Sequence, residues 1–193
     1  MRELLQTGFV RFYCMDMADI VWMSVPATAI FLMVYGRYQT KRWMNCVVGM
    51  ILLCWIAVVL YATVGNRSAD PVREINLIPF HSYREVWAGG NPELYRSNFM
   101  NAALFYPTGL LGASLLPKKW PGWCRGLLTV AAFAAMSAGI EYVQWRYTLG
   151  LCEIDDVIHN TAGALAGSLA AMLGPPVLSF AKEKLVQKCL QWR

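Results

Sequence analysis

Five stretches of this chain are apolar and long enough to cross a bilayer, which excludes most soluble folds at once. Covering roughly 30 Å of hydrocarbon takes about 17 to 25 helical residues, and a spanning segment must satisfy its own backbone. The stretches lie near Ile20 to Tyr35, Met44 to Val64, Met100 to Leu116, Gly126 to Trp145 and Val157 to Ala181. With 57% hydrophobic and only 15% charged residues, the chain is more apolar than an ordinary soluble domain. The expected fold is all-α: a polytopic membrane helix bundle of about five transmembrane helices with a partly helical extracytoplasmic loop, one domain over residues 1–193. Pro26 and Pro107 fall inside the first and third stretches, where each removes a backbone donor and is expected to bend the helix.

Basic residues are retained on the cytoplasmic side of a membrane. Arg37, Lys41 and Arg42 join the first two stretches, Lys118, Lys119 and Arg125 join the third and fourth, and Lys182, Lys184, Lys188 and Arg193 follow the fifth. Every acidic residue except Glu183 falls on the opposite side. This predicts an outer N-terminus, an inner C-terminus and no cleavable leader, since the first apolar run lacks a basic leader joined to a small-residue cleavage site. The net charge of +5 is then a topology signal and not a nucleic-acid footprint. The six cysteines show no zinc spacing and read as free thiols, with Cys14 and Cys152 the only two on the outer side, where one bridge could form.

The connection from Gly65 to Asn98 is long, and a connection of this length usually carries structure or function of its own. Ile75, Leu77, Ile78, Phe80, Tyr83, Trp87 and Tyr95 make it too apolar to float in water, so it is expected to lie on the membrane or dip into it. Ser82-Tyr-Arg-Glu85 has the form of a capping box, and Asn91-Pro92-Glu93 that of a cap followed by proline at the first helical position. The first helix suits an interfacial position, and the second should run into the third span.

Polar residues are costly at membrane depth and therefore informative. Glu141 and Gln144 share one face of the fourth span. Asp156, Asn160, Gly163 and Gly167 follow one another down the fifth, and Asn101, Phe105, Thr108 and Gly112 down the third. A shared site between these helices is expected. Gly163-Ala-Leu-Ala-Gly167 is also a GxxxG pattern, for which Ala131, Ala135, Ala138 and Gly139 of the fourth span offer a small-residue partner face. Glu153, Asp155 and Asp156 stand where they would complement the dipole of their own helix, worth about 0.3 to 1 kcal/mol each, or serve a site. Asp155, Asp156 and His159 make no complete metal set, and no metal or cofactor is expected. An ionised Glu141 needs a cation, for which Arg67, Arg73 and Arg146 are the candidates.

Four of these motifs in order resemble the VanZ-like family of bacterial membrane proteins. They are Asn76-Leu-Ile-Pro-Phe80 preceded by Arg73, Asn101 followed by Phe105-Tyr-Pro-Thr-Gly109, Glu141-x-x-Gln144, and Asp155-Asp156-Val-Ile-x-Asn160-Thr-x-Gly163. The likeness runs roughly from Ala62 to Gly174. It implies a small multi-pass protein of the bacterial cytoplasmic membrane, in a family whose named member is associated with low-level teicoplanin resistance. Carried over by position, Arg73, Asn76, Phe80, Asn101, Glu141, Gln144, Asp155, Asp156 and Asn160 form a binding or structural network, with Arg73 pairing with Glu141 or Asp156. Pro79, Pro107, Gly163 and Gly167 shape the backbone, and none of these residues is assigned a catalytic part. One departure is Gly150-Leu-Cys152, where the resemblance leads us to expect a basic residue, with Arg146 as the candidate substitute.

Two classes of function follow. An outward-facing site would bind a lipid headgroup, a lipid-linked cell-wall precursor or a lipoglycopeptide without chemistry. Alternatively, Glu141 or Asp156 would act as general base on a lipid, although no nucleophile with an adjacent base and no phosphate loop is present. A transport subunit is disfavoured, because five spans offer no inverted repeat.

Overall fold

The computed structural model describes residues 17–68, 74–91 and 93–191, with side chains as far as residue 176 and at Lys184. Arg73 and Cys14 therefore lie outside the described residues, and with them the Arg73 pairing and the Cys14–Cys152 bridge. Helix α1 spans Met17–Tyr38, α2 spans Arg42–Leu60 and continues into a π-helical turn at Tyr61–Gly65. A two-residue strand β1 (Ile75–Asn76) and a short helix α3 (His81–Trp87) make up the loop. Then come α4 (Glu93–Leu115), α5 (Gly122–Arg146), strand β2 (Cys152–Glu153) and α6 (Ile154–Gln191). The architecture is essentially all-α, as expected, with the five apolar stretches falling on five long helices, the second running on into the π-helical turn.

By length and hydropathy four of these helices are fit to cross a membrane: Met17–Tyr38, Arg42–Gly65, Gly122–Arg146 and Ile154–Pro176. Helix α4 falls outside that group because it is the most protein-enclosed of them. It buries Asn98, Met100, Leu104, Phe105, Thr108, Gly109, Leu110, Leu111, Ala113 and Ser114. A helix that meets other helices and little lipid has no need of an apolar surface all round, so polar residues collect on it. The other helices show large apolar side chains on their outer surfaces, among them Trp22, Leu53 and Leu127. Pro26 and Pro107 both lie within continuous helix.

The packing partner of the GxxxG pattern differs from expectation. A Cβ added at Gly163 would collide with the Ala102 carbonyl, and one at Gly167 with the Tyr106 carbonyl, while one at Gly109 would meet the backbone of Ala164. The glycines thus bring α6 onto α4, not onto α5. Ala131, Ala135, Ala138 and Gly139 of α5 are exposed, and nothing stands near Gly139. The reason is geometric: α4 and α6 interlock through glycines on both sides, which permits the closer backbone approach. Around this crossing Val59, Leu104, Phe105, Phe133, Ile140 and Ala164 form the main core.

Asn91 caps α4 as expected, its side-chain oxygen accepting the Glu93 N–H at 3.0 Å. The capping box at Ser82 does not form. Helix α3 starts two residues earlier, with Phe80 at the N-cap position, and Ser82 turns to the bundle instead of to its own backbone. Pairing of β1 with β2 is parallel, Ile75 beside Cys152 and Asn76 beside Glu153, and it fastens the loop to the segment between α5 and α6.

Candidate functional site

Polar residues from α4, α5, α6 and the loop meet at the end of the bundle where β1 and β2 lie. The Asp155 carboxylate accepts the Phe80 N–H at 2.5 Å, the Ser82 N–H at 3.0 Å and the Ser82 hydroxyl at 2.6 Å. Asn98 donates to that same hydroxyl at 2.8 Å. Asp155 therefore caps α3 and not its own helix. The segment before α3 is shaped for this contact. Asn76 Oδ1 accepts the Ile78 N–H at 3.2 Å, and the His81 N–H closes a turn on the Ile78 carbonyl at 3.2 Å. Pro79 sets the second position of that turn, and Phe80 takes the third with φ 59°, a left-handed conformation that a bulky side chain rarely adopts. Asn76, Pro79 and Phe80 thus work as the loop's anchor.

Beside the anchor, the Tyr83 hydroxyl lies 2.8 Å from His159 Nε2, and His159 Nδ1 lies 2.6 Å from the Asp155 carbonyl. A carbonyl only accepts, so Nδ1 carries a proton, and in the neutral ring Nε2 is then the acceptor of the Tyr83 hydroxyl. Tyr95 meets the Tyr83 ring edge-on at 5.2 Å between centroids.

The remaining carboxylates belong to the second half of the cluster. Asn101 donates to Asp156 Oδ1 at 2.6 Å, joining α4 to α6. Glu141 is buried, and its Oε2 accepts the Glu153 N–H at 3.0 Å. Asn160 donates to Ser137 at 2.9 Å, and Gln144 donates to the Thr63 carbonyl in the π-helical turn at 2.8 Å. Asn160 and Gln144 are only 3% and 1% exposed, yet Asn160 Oδ1 and Gln144 Oε1 find no donor among the described residues. Asp156, Asn101 and Glu153 remain partly accessible. Burial raises the Glu153 carboxyl above its ordinary value, with the Asp156 and Asp155 charges adding to the effect. Among the described residues no three His, Cys, Asp or Glu side chains are placed to hold a metal ion together.

The profile of the VanZ/LLP1 family matches residues 46–175, which takes in most of α2, the loop, α4, α5 and the first half of α6. The chain belongs to the VanZ/LLP1 family. No curated protein and no solved structure matches it. The match begins earlier than the motifs suggest, since it includes the second span.

In this VanZ/LLP1 protein the cation that the described residues bring to the cluster is Arg67. Its guanidinium reaches the Leu149 carbonyl at 3.5 Å, and its charge acts on both Glu141 and Asp156. Gly150, at φ 135°, makes room for it: a Cβ there would stand 2.5 Å from Arg67 Nη1. The glycine found where a basic residue was expected thus admits a basic side chain from the loop. Arg146, the substitute expected from sequence, has its guanidinium over the Tyr147 ring. Ser82, Tyr83, Asn98, Ser137 and Thr63 are the members that sequence reading missed. Only Ser82 carries a sequence signal, and that signal points to a cap for its own helix.

Proposed function

We propose that the VanZ/LLP1 cluster is an outward-facing site for a lipid headgroup or a lipid-linked cell-wall precursor in the bacterial cytoplasmic membrane. The observation that carries this reading is the pair of buried, donorless acceptors, Asn160 Oδ1 and Gln144 Oε1, in a cluster whose rim is partly accessible. Buried polar atoms in native proteins almost always have partners, so two without one in a single cluster call for an explanation, and a bound polar group supplies it. Asp156 and Glu153 suit hydroxyl or amine donors, and Arg67 suits a phosphate. The basic connections at the opposite end of the bundle favour an outer position for the site. Binding there would alter how a lipoglycopeptide such as teicoplanin meets the membrane surface, which is how low-level resistance would arise.

Lipid extracted from purified wild-type protein should contain one species enriched over the bulk membrane, and Asn101→Leu should lose that enrichment at equal expression. Identical lipid profiles would refute the binding reading. If Glu141 or Asp156 instead acts as a base, Glu141→Gln should abolish conversion of the retained lipid, whereas a binder should lose affinity by a graded amount.

A further inference from the structure

An apolar cavity of about 530 Å³ lies between α1, α2, α4 and α6. This is within the range of pockets that hold small molecules, roughly 300 to 1,000 Å³. Ile20, Ala27, Trp55, Ala103, Tyr106 and Ala166 are among its walls, and the alanines create the space. The polar atoms on these walls are engaged. Tyr106 and Thr28 hydroxyls bond at 3.0 Å, the Trp55 indole donates to the Leu104 carbonyl at 2.9 Å, and the Ser24 hydroxyl donates to the Val21 carbonyl at 3.1 Å. A buried water needs two to four polar partners, which this cavity does not offer. At membrane depth its natural filling is hydrocarbon.

The rim indicates where that hydrocarbon comes from. Tyr95, Phe99, Ala102 and Tyr106 succeed one another at steps of four, three and four, and so share one face of α4. His159, Ala162 and Ala166 do the same on α6. The contacts among Tyr83, Tyr95 and His159 therefore stand over the end of the cavity nearest the loop. Tyrosines gather at headgroup level in membrane proteins. A chain in the cavity would emerge at that level.

We propose that the cavity holds one hydrocarbon chain of a membrane lipid that emerges beside Tyr83, Tyr95 and His159, at the same end of the bundle as the Asp156 and Glu153 cluster that takes its polar end. The inference rests on the lipid-binding reading and adds where the chain goes. Hydrocarbon gains little by leaving one apolar medium for another, so the cavity selects chain shape while the polar groups supply affinity.

The test reconstitutes the full chain in phosphatidylglycerol and phosphatidylethanolamine vesicles doped with a phosphatidylglycerol carrying a diazirine midway along one acyl chain. After irradiation, adducts are mapped by mass spectrometry. They should concentrate on the peptides around Phe99 to Pro107 and Ala162 to Ala166, above those of the exposed α5 surface at Leu127 and Tyr142. Ala103→Phe with Ala166→Phe should lower them several-fold, and Gly139→Ala should not. An even spread of adducts in the wild type overturns the inference without any variant, as it would if another part of the chain filled the space. Adducts that the filling variant leaves unchanged also overturn it. Cavity adducts together with unchanged lipid retention in Asn101→Leu would support the chain site and refute the headgroup site, so the two failures are distinguishable.

Discussion

The carboxylate of Asp155 holds Ser82 twice, through its hydroxyl at 2.6 Å and its N–H at 3.0 Å. One side chain at the start of α6 thereby fixes the helix of a loop that lies more than seventy residues earlier in the chain. Hydrogen bonds to a charged group contribute about 1.5 to 3 kcal/mol each. Asp155→Ala should therefore destabilise the protein by about 2 to 4 kcal/mol and expose the amides of α3. Hydrogen exchange in nanodiscs should show faster exchange at Ser82 to Val86 with α5 unchanged. Unaltered exchange in α3 would mean that the loop is held by other contacts.

The crossing of α4 and α6 makes a sharper demand. Gly163 has the Ala102 backbone where a Cβ would be, and backbone cannot give way as a side chain tip can. Overpacking typically costs about 1 to 3 kcal/mol, and Gly163→Ala should reach the upper part of that range or prevent folding. Gly139→Ala, with open space around it, should be neutral. Thermal unfolding in one detergent compares the two, and equal midpoints would contradict the crossing.

Gly150 has an indirect part, because it admits Arg67. Gly150→Ala should displace the guanidinium and weaken lipid retention several-fold while leaving overall stability lowered by about 1 kcal/mol, the scale of a strained positive-φ position. Arg67→Gln should weaken retention without the strain. If Gly150→Ala weakens retention and Arg67→Gln does not, the cation has no share in the site.

Much of this architecture was legible in the sequence. Five apolar stretches, the Asn91 cap and the shared faces of Asn101, Glu141 and Asp156 follow from helical period and capping chemistry, both local properties. The two strands, the role of Phe80 and the position of Arg67 were not legible, because each depends on which distant segment lies alongside. A two-residue strand such as Ile75–Asn76 has no pattern of its own, and Gly150 signals only that a side chain is unwelcome. The small face of α5 misled for a related reason: small residues permit close approach without naming a partner.

Stability should depend on pH through Glu153, whose carboxyl is raised above 4.5 chiefly by burial. A raised carboxyl binds its proton more tightly folded than unfolded, so its penalty is absent below the unfolded value and stability falls as pH rises from there through the folded value. Glu153→Gln should melt higher than wild type at neutral pH and match it in acid. A constant difference across the series would assign the shift to another group.

Native mass spectrometry of the protein released from its own membrane tests the central claim most directly. Wild-type protein should carry a single retained lipid mass, and Asp156→Asn, which weakens the acceptor facing Asn101 while preserving its shape, should appear folded and largely bare. Equal retention by both proteins, or a wild type that carries only the bulk lipid mixture in proportion, would contradict a site built from this cluster.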